Sequence, residues 1–525
     1  MLDQNGKVQT ASGTQLKDVV SSAYLASWSH LLPGRMNGKA EYLGEEEGSG
    51  LLMIRILPVE GTEVTFYLDP ETHFPVKSEQ MEQERVAEST YSNWKEFEGI
   101  RFVASLTQMT GHSEYASTFE LQKVEFQQRP PKTVFAKPVE EAEDYRFASG
   151  NAALDIPMEL NGVHIFVQVS VNGSEPLWFI MDTGASVTVV EAETAKQIGI
   201  ETQGNIEARG AGEGSVSASF ASGVTYDLAG VTVSDQKAVV MPLRQLEPYF
   251  GREIDGVLGY DLISRFVMQI DYDKQTISLY EQKSYQYSGE AAVVPMRMEG
   301  GHPHVTMTVT PYGMDPIEAE FLIDTGAGSA IGFARPFVEE HSLLETLPDK
   351  YFYVGGSGVG GEMKSYVGRI ESANLGGYVL DKPICGFLQD KAGVGANPHL
   401  AGIIGGEVLS RFNVSFDYEG GKMILEPGSK ISEPFDQNLS GIILMSGGRG
   451  AWHSLSVRAI LPGSAAEESG LKVGDKLISV DGTAAEDFTV NSFRKYVRED
   501  RESMTVVMER DGKKMTKKLE LKPVI

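Results

Sequence analysis

Cysteine is almost absent from this sequence of 525 residues, where Cys385 stands alone. A single cysteine cannot form a disulfide within the chain. Nothing near it in the sequence indicates a partner that would activate a thiol, so we expect a buried apolar residue at this position. The sequence also lacks an apolar run of about 18 residues, the length that a transmembrane helix requires, and no such helix is predicted.

Basic residues are also few relative to acidic residues. The chain has 46 lysines and arginines against 73 aspartates and glutamates, which gives a net charge of −27. Binding to nucleic acid requires a basic surface, so we exclude this class of function, and adhesion to an anionic bilayer is disfavoured. The plain interpretation of the charge is solubility. With 41% apolar residues and 57 glycines, the sequence is typical of a globular, turn-rich chain.

One unit occurs twice within the sequence. An apolar run ends in Asp-Thr-Gly-Ala at Asp182 and again at Asp324. Later in each copy, two apolar residues precede Gly259 or Gly405, and Ser-Arg-Phe follows shortly after. Upstream of each aspartate, alternating patterns separated by glycine turns predict hairpins. The aspartates are 142 residues apart and the two glycines 146, so the unit is duplicated with a small insertion in the second copy.

At these motifs the chain resembles the pepsin-like and retropepsin-like aspartic proteases, over residues 152–427. The resemblance implies a mainly β fold with a bilobal double-ψ β-barrel module, whose homologous halves are residues 152–285 and 286–427. It also implies that Asp182 and Asp324 form the catalytic dyad. The residues that it implies as supports of the dyad are Thr183, Gly184, Thr325, Gly326, Gly259 and Gly405.

In the family, the threonines of the two motifs cross-bond between the halves. The glycines that follow them permit a tight turn and offer amides to the carboxylates. The two later glycines let an apolar strand pass close behind the dyad. The resemblance therefore implies a structural role for each of these threonines and glycines.

The chemistry needs two carboxylates. Hydrolysis of a peptide bond requires an activated water and a proton donor for the leaving amine, and an adjacent pair supplies both. Two like charges so close together cannot both ionise, so the pair shares one proton. We predict neither a metal nor another cofactor. Because each half supplies one aspartate, we expect a monomer with an intramolecular pseudo-dimer active site that acts on polypeptide substrates.

Members of the family also fold a hairpin flap over the substrate, and glycine suits a mobile hairpin tip. Two glycine-rich stretches, residues 209–214 and 354–361, are candidates for this flap. The second stretch fits the letters of a dinucleotide fingerprint, but residues 363–370 after it predict a strand where a helix is required, so no nucleotide site is predicted. The candidate flap residues are Gly210, Gly212, Gly355, Gly356 and Gly358.

Two histidines, His302 and His304, lie close together on one predicted strand. No third ligand is evident near them in the sequence. We therefore expect structural roles for both, and we predict no metal site.

Residues 436–525 resemble a PDZ domain, through Pro-Gly-Ser-Ala-Ala at 462–466, Gly-Leu-Lys-Val-Gly-Asp at 470–475 and Val-Asp-Gly at 480–482. A PDZ groove accepts a peptide as an added strand and holds its terminal carboxylate in backbone amides. Ser440 stands where many members have an apolar residue. Because this segment has its own apolar pattern, we expect its removal to leave cleavage of short peptides largely unchanged and to weaken the processing of some whole proteins. The predicted groove residues are Leu439, Ser440, Gly441, Ile442, Val490 and Phe493.

Residues 1–127 are predicted to be β-rich, with strands at 63–68, 74–79, 100–109 and 115–126. This segment resembles, loosely and locally, a periplasmic lipoprotein-carrier half-barrel, and we expect part of the domain to lie upstream of the given sequence. A proline and charge-rich linker is predicted at 128–151.

The sequence leaves more than one location and more than one function open. The first residues carry no export signal, so the protein is cytosolic or its signal is not included in this sequence. The arrangement resembles bacterial aspartyl proteases with PDZ domains, which are generally exported, so we expect a periplasmic or extracytoplasmic location. Two other functions stay open besides an aspartic endopeptidase. They are a catalytically silent peptide-binding scaffold and a lipid or lipoprotein carrier that uses the N-terminal domain.

Overall fold

The computed structural model describes residues 11, 13–27, 29–32, 36–82, 85–110, 116–126, 136 and 144–525. The chain divides into two compact units, Met1–Glu141 and Ala142–Ile525. Of the predicted linker, only residues 136 and 144–151 are among the described residues, and the rest lies outside them. The prediction of a mainly β fold is confirmed in both units.

The first unit is an antiparallel meander in which each strand pairs with the next along the chain. The predicted strands at 63–68, 74–79 and 100–109 correspond to its third, fourth and sixth strands. The predicted strand at 115–126 is wrong over residues 121–126, which form no strand, and Tyr115 lies outside the described residues. The unit also contains a helix that was not predicted from the sequence. The elements are α1 Gly13–Ala26, β1 Gly38–Glu45, β2 Leu52–Pro58, β3 Val64–Leu68, β4 Pro75–Glu82, β5 Arg85–Phe97, β6 Ile100–Thr110 and β7 Ser117–Glu120.

The second unit begins with the first half of the duplicated module, residues 152–285, preceded by one short strand. Two 3-10 turns, Arg244–Leu246 and Gln282–Ser284, interrupt its connections. Its elements are β8 Tyr145–Phe147, β9 Ala152–Asn161, β10 His164–Val171, β11 Leu177–Met181, β12 Val189–Glu191, α2 Ala192–Gln197, β13 Gln203–Ala208, β14 Val216–Leu228, β15 Val231–Met241, α3 Glu247–Phe250, β16 Gly256–Leu258, α4 Tyr260–Ile263, β17 Phe266–Asp271 and β18 Thr276–Glu281.

The second half, residues 286–427, repeats this order, except that two shorter strand pairs replace the long hairpin of β14 and β15, a second short helix follows the first, and a 3-10 turn occurs at Val394–Ala396. Its elements are β19 Ala292–Glu299, β20 His302–Thr310, β21 Ile317–Asp324, β22 Ile331–Phe333, α5 Arg335–Glu340, α6 Leu343–Thr346, β23 Lys350–Gly358, β24 Gly361–Arg369, β25 Ser372–Leu375, β26 Tyr378–Asp381, β27 Ile384–Leu388, β28 Gly402–Gly405, α7 Gly406–Leu409, β29 Phe412–Asp417 and β30 Lys422–Pro427.

The carboxy-terminal domain, residues 436–525, forms its own sheet around its own apolar core. The predicted groove residues Val490 and Phe493 lie on the helix α9, with a 3-10 turn at Ala485–Asp487 before it. The elements are β31 Ile442–Met445, β32 Ser456–Ile460, α8 Ala465–Glu468, β33 Lys476–Val480, β34 Thr483–Ala484, α9 Val490–Tyr496, β35 Ser503–Arg510 and β36 Lys513–Glu520.

The two halves share one sheet in which β17 pairs antiparallel with β29, and the strand order is β9, β18, β17, β29, β30, β19. In both central strands, apolar residues recur at alternate positions. Their inward-facing side chains, such as Met268 and Phe416, have no exposed surface. Burial of each such side chain stabilises the fold by about 1.5–3 kcal/mol. This sheet fixes the halves to each other, so their equivalent loops face a common site.

Corresponding parallel pairings occur in each half. Strand β11 pairs with β16, and β21 pairs with β28. The strands β16 and β28 lead into Gly259 and Gly405, which precede the short helices α4 and α7. A Cβ on Gly259 would lie 2.4 Å from the Val187 carbonyl oxygen, and one on Gly405 would lie 2.3 Å from that of Ser329. Backbone packs against backbone at both positions, which only glycine permits.

Cys385 is buried in β27, as predicted, and is the free cysteine of the chain. Its thiol donates to the Pro383 carbonyl at 3.5 Å. In the part of the chain that the structure describes, no helix has the length and apolar character needed to cross a membrane.

The close approach at Gly405 generates a stability prediction. We expect Gly405→Ala to lower the free energy of unfolding by about 1–3 kcal/mol, because the added methyl meets a backbone oxygen that cannot yield. The matched control is Gly332→Ala in the neighbouring strand β22, where a Cβ meets nothing closer than Leu388 Cδ1 at 3.9 Å. Thermal unfolding followed by circular dichroism measures both. An equal loss in the two variants would contradict the packing argument.

Candidate active site

The two aspartates of the repeated motif lie at equivalent strand ends. Asp182 follows β11, and its amide donates to the Leu258 carbonyl of the adjacent strand at 3.1 Å. Asp324 ends β21, in register with Gly405 of β28. The three residues before each aspartate are apolar and buried. The structure brings the two side chains together, and their carboxyl groups hydrogen-bond to each other.

Below the aspartates, the two loops are tied by the threonine hydroxyls. Thr183 Oγ1 donates to the Ile323 carbonyl at 2.9 Å, and Thr325 Oγ1 donates to the Met181 carbonyl at 2.8 Å. Each hydroxyl also accepts from the amide of the other threonine, at 3.0 and 3.1 Å. Both threonines are fully buried. Four hydrogen bonds thus cross between the halves directly beneath the carboxyl pair.

The glycines next to the threonines leave room for the opposite carboxyl group. A Cβ on Gly184 would lie 2.5 Å from Asp324 Cγ, and a Cβ on Gly326 would lie 2.5 Å from Asp182 Cγ. Each glycine amide also donates to the aspartate of its own loop at 2.8 Å. A side chain at either position would push the aspartates apart.

The aspartates retain partial exposure, yet protein surrounds them. Burial raises the pKa of Asp182 well above its usual range, and the adjacent charge of Asp324 raises it further. Burial also raises the pKa of Asp324. Two carboxylates this close cannot both ionise, so the pair holds one proton between them. That proton makes one oxygen a donor while its neighbour stays an acceptor.

Each half also contributes a histidine whose position at this site was not predicted from the sequence. His164 at the start of β10 hydrogen-bonds the backbone of Gly326, and His302 at the start of β20 hydrogen-bonds the backbone of Gly184. Each ring therefore reaches the aspartate loop of the other half. Burial lowers the pKa of His164 to about 4 and also lowers the pKa of His302. The His164 ring is largely uncharged above that value, so it supports the opposite loop without adding a fixed positive charge.

His304, the second histidine of the predicted strand, lies apart from this site. Its ring contacts Arg297 at 3.2 Å, and Glu320 lies 3.9 Å away. Among the described residues, no group of three or more His, Cys, Asp or Glu side chains has the arrangement of a metal site.

Both glycine-rich stretches lie at the ends of hairpins. In the first half, β13 and β14 flank residues 209–215, and in the second half β23 and β24 flank residues 359–360. The two tips touch, because Gly212 N donates to the Val359 carbonyl at 3.0 Å and Gly214 N donates to the Gly360 carbonyl at 2.8 Å. The structure thus has a hairpin from each half, and the hairpins meet tip to tip.

The candidate flap glycines divide into two groups. Gly210, Gly212 and Gly358 lie at the contact between the tips. Gly355 and Gly356 lie further back in β23, at a bulge in its pairing with β24. The bulge gives Gly356 a φ of 73°, in the left-handed region that glycine tolerates.

A carboxylate fastens the contact between the tips. Glu213 accepts from Lys364 Nζ at 2.6 Å and from the Lys391 amide at 2.7 Å. The hydrogen bond from Lys364 lowers the pKa of Glu213. The closed arrangement is therefore held by charge-assisted hydrogen bonds as well as by backbone contacts.

In the carboxy-terminal domain, the loop expected to hold a peptide carboxylate has no free amide. Ser440 N and Gly441 N both donate to Asn438 Oδ1, at 3.0 and 2.9 Å. Ile442 N donates to Ser440 Oγ at 3.0 Å, and Leu439 N donates to the Val497 carbonyl at 3.0 Å. Ser440, which stands where many PDZ domains have an apolar residue, therefore accepts a hydrogen bond from the backbone of its own loop.

The two predicted groove residues on helix α9, Val490 and Phe493, are almost fully buried. Both belong to the apolar core of the domain.

Comparison with known proteins agrees with both resemblances, to aspartic proteases and to PDZ domains. Residues 167–262, which include Asp182 and Gly259, match a family model described as aspartyl protease, and residues 456–510 match one described as PDZ domain. No curated protein matches the chain significantly. Among solved structures, the aspartic proteinase from Irpex lacteus is 15% identical and covers 54% of this chain and 99% of its own, with a TM-score of 0.36. The chain carries an aspartyl-protease region followed by a C-terminal PDZ domain.

Proposed function

We propose that this protein is an aspartic endopeptidase that hydrolyses peptide bonds with the Asp182–Asp324 dyad. The observation that carries the proposal is the hydrogen-bonded pair of carboxyl groups, one from each half, above cross-bonded threonines. A pair of turn-forming aspartates with no catalytic role has no need of such a buried cross-link. A second carboxylate at hydrogen-bond distance is also costly unless the two share a proton.

In the proposed reaction, a water molecule between the carboxyl groups is the nucleophile. The ionised carboxylate takes a proton from this water as its oxygen attacks the peptide carbonyl carbon. The protonated carboxyl donates to the carbonyl oxygen, which gives a tetrahedral intermediate. A proton then passes to the amide nitrogen, the C–N bond breaks, and a carboxylic acid and an amine leave. Which aspartate takes which role belongs to the pair.

The paired hairpins suggest how the substrate is held. They carry free edges and glycine-rich tips, and an extended peptide binds such edges by backbone hydrogen bonds. Because the tips are bonded to each other in this structure, they must separate for a polypeptide to enter and then close over it. An extended, locally unfolded polypeptide is therefore the substrate class that we propose.

The dyad is tested by single substitutions. We expect Asp182→Asn and Asp324→Asn each to abolish cleavage of casein and to leave the fold intact, because asparagine is nearly isosteric but cannot share the proton. The control is Asp315→Asn, at an exposed position of the second half. Release of acid-soluble peptides measures activity, and circular dichroism checks the fold. More than a few per cent of activity in either dyad variant would show that the assignment is wrong.

The pH profile tests the shared proton. The residue three positions after each catalytic aspartate is alanine, Ala185 or Ala327, where a hydroxyl would donate to the ionised carboxylate and lower its pKa. Since burial raises both pKa values, the singly protonated pair persists to higher pH, and we expect a mildly acidic optimum. The double variant Ala185→Ser, Ala327→Ser should shift the kcat/KM profile to lower pH.

The control for this shift is Ala319→Ser, which adds a hydroxyl to the same strand as Asp324 but away from the dyad. Its profile should overlay that of the wild type. A wild-type optimum in strong acid, or an alkaline shift of the double variant, would count against the argument.

A single chain is proposed to be the complete enzyme, because both aspartates and both hairpins come from it. Specific activity should therefore be constant when the protein is diluted through the nanomolar range. Initial rates divided by enzyme concentration measure this. A fall in specific activity on dilution would mean that a second copy is needed.

A further inference from the structure

A segment of the protease region is seated on the PDZ domain. A peptide-binding PDZ groove lies between an edge strand and a helix, here β31 and α9. The segment 247–251, which comprises α3 and the glycine that ends it, lies against both elements. Just beyond β31, Ser446 N donates to the Pro248 carbonyl at 2.9 Å. On the helix side, Arg494 donates to the Tyr249 carbonyl at 2.7 Å.

The last residue of the segment closes the contact on the helix side. A Cβ on Gly251 would lie 3.1 Å from Val490 Cβ, at the start of α9. The segment thus presents backbone carbonyls to the domain, as an added peptide would, although it is a helical turn in the middle of the chain. The carboxylate loop, whose amides bond to Asn438 and Ser440, is not required by such an internal ligand.

An arginine of the PDZ domain fastens the segment by charge. Arg449 donates to Glu247 Oε1 and to Asp255 Oδ1, each at 2.8 Å. The two acids are 2% and 4% exposed. Burial raises the pKa of Glu247, while the hydrogen bond from Arg449 opposes this rise. Removal of the arginine would leave two acids buried next to each other without their cation, which is strongly unfavourable.

The position of Asp255 links this contact to the dyad. The other carboxylate oxygen of Asp255 accepts from Trp178 N at 3.0 Å, at the start of β11. The next residue begins β16, which runs parallel to β11 as far as the pair Met181 and Leu258. The Leu258 carbonyl then accepts the amide of Asp182. Arg449 therefore anchors the end of the two strands that place the first catalytic aspartate.

A second arginine of the PDZ domain reaches the hairpin of the second half. Arg458 donates to Glu362 Oε1 at 2.8 Å, and its guanidinium lies 4.3 Å from the centre of the Tyr249 ring. Glu362 is in β24, next to the hairpin tip. One PDZ side chain thus touches both the docked segment and the hairpin that must move for substrate to enter.

We propose that the PDZ groove is an intramolecular docking site for residues 247–251, and that the docked domain is part of the catalytic unit. Arg449 acts as a positioning residue for β16, and Arg458 restrains the second hairpin. This replaces the expectation that the domain can be removed without effect on cleavage of short peptides. The inference rests on the proposed function for its activity measurement alone.

The test uses the full chain and two matched arginines. Arg449 and Arg510 each bond a buried carboxylate, and each side chain is 28% exposed, but Arg510 pairs with Asp475 inside the PDZ domain. We expect Arg449→Gln to speed amide exchange at residues 247–258 and to lower kcat for a short peptide by about 10- to 100-fold, since small misplacements of catalytic groups cost this much. Arg510→Gln should leave both unchanged while destabilising the PDZ domain itself.

A substitution of Glu362, whose side chain is 46% exposed, keeps the test decisive if Arg449→Gln does not fold. Glu362→Gln should speed exchange in β23 and β24 and change KM more than kcat, because it frees the hairpin without touching the dyad strands. Equal effects of Arg449→Gln and Arg510→Gln, or exchange at 247–251 in the wild type as fast as in an unfolded peptide, would overturn the proposal.

A recruiting role for the groove is separated by a binding measurement. The probe is a fluorescein-labelled octapeptide that ends in a free apolar carboxylate, titrated against the wild-type chain. We expect no change in its anisotropy, because the groove is occupied and the loop amides are bonded. Binding that leaves the protection of residues 247–251 intact would overturn the proposal. If casein is not cleaved at all, the proposed function fails, while amide exchange still decides whether the segment is docked.

Discussion

The whole site depends on four hydrogen bonds between Thr183 and Thr325 and the loops that they cross. These bonds are buried, so water does not compete with them, and each satisfies a backbone group that would otherwise be costly. They fix two loops from different halves to a single geometry. The carboxyl groups above them can then be close enough to share a proton, which mutual repulsion would otherwise prevent.

Further contacts around this cross-link support the carboxyl pair. Gly184 and Gly326 admit the opposite carboxyl groups, and Gly259 and Gly405 let the strands behind pack backbone to backbone. The six-stranded sheet shared by the halves holds the lower part of the module together. Each layer restricts the next, so the position of the paired carboxyl oxygens is set by packing far from the site as well as by local bonds.

The sequence allowed prediction of those parts that a motif encodes locally. Apolar runs that end in Asp-Thr-Gly indicated buried strands with a carboxylate at one end, and duplication indicated a pair. The role of His164 was not predicted because it depends on a contact with the opposite half, not on the neighbouring residues in the sequence. The contact between Glu247 and Arg449 joins residues 202 positions apart, and no periodicity reports such a pairing. Likewise, residues 121–126 continue the apolar and polar mixture of the strand before them, yet this sequence pattern alone supplies no partner strand.

The fusion of both halves in one chain has a consequence for symmetry. In a homodimer, any substitution appears on both sides of the cleft. Here equivalent positions already differ, since Asp261 accepts from Thr188 within the first half, whereas its counterpart Glu407 pairs with Arg498 of the PDZ domain. Each half therefore contacts the PDZ domain through different side chains, and each can change its own side chains independently of the other. An asymmetric site of this kind is free to distinguish the amino-terminal from the carboxy-terminal direction of the polypeptide that we propose as its substrate.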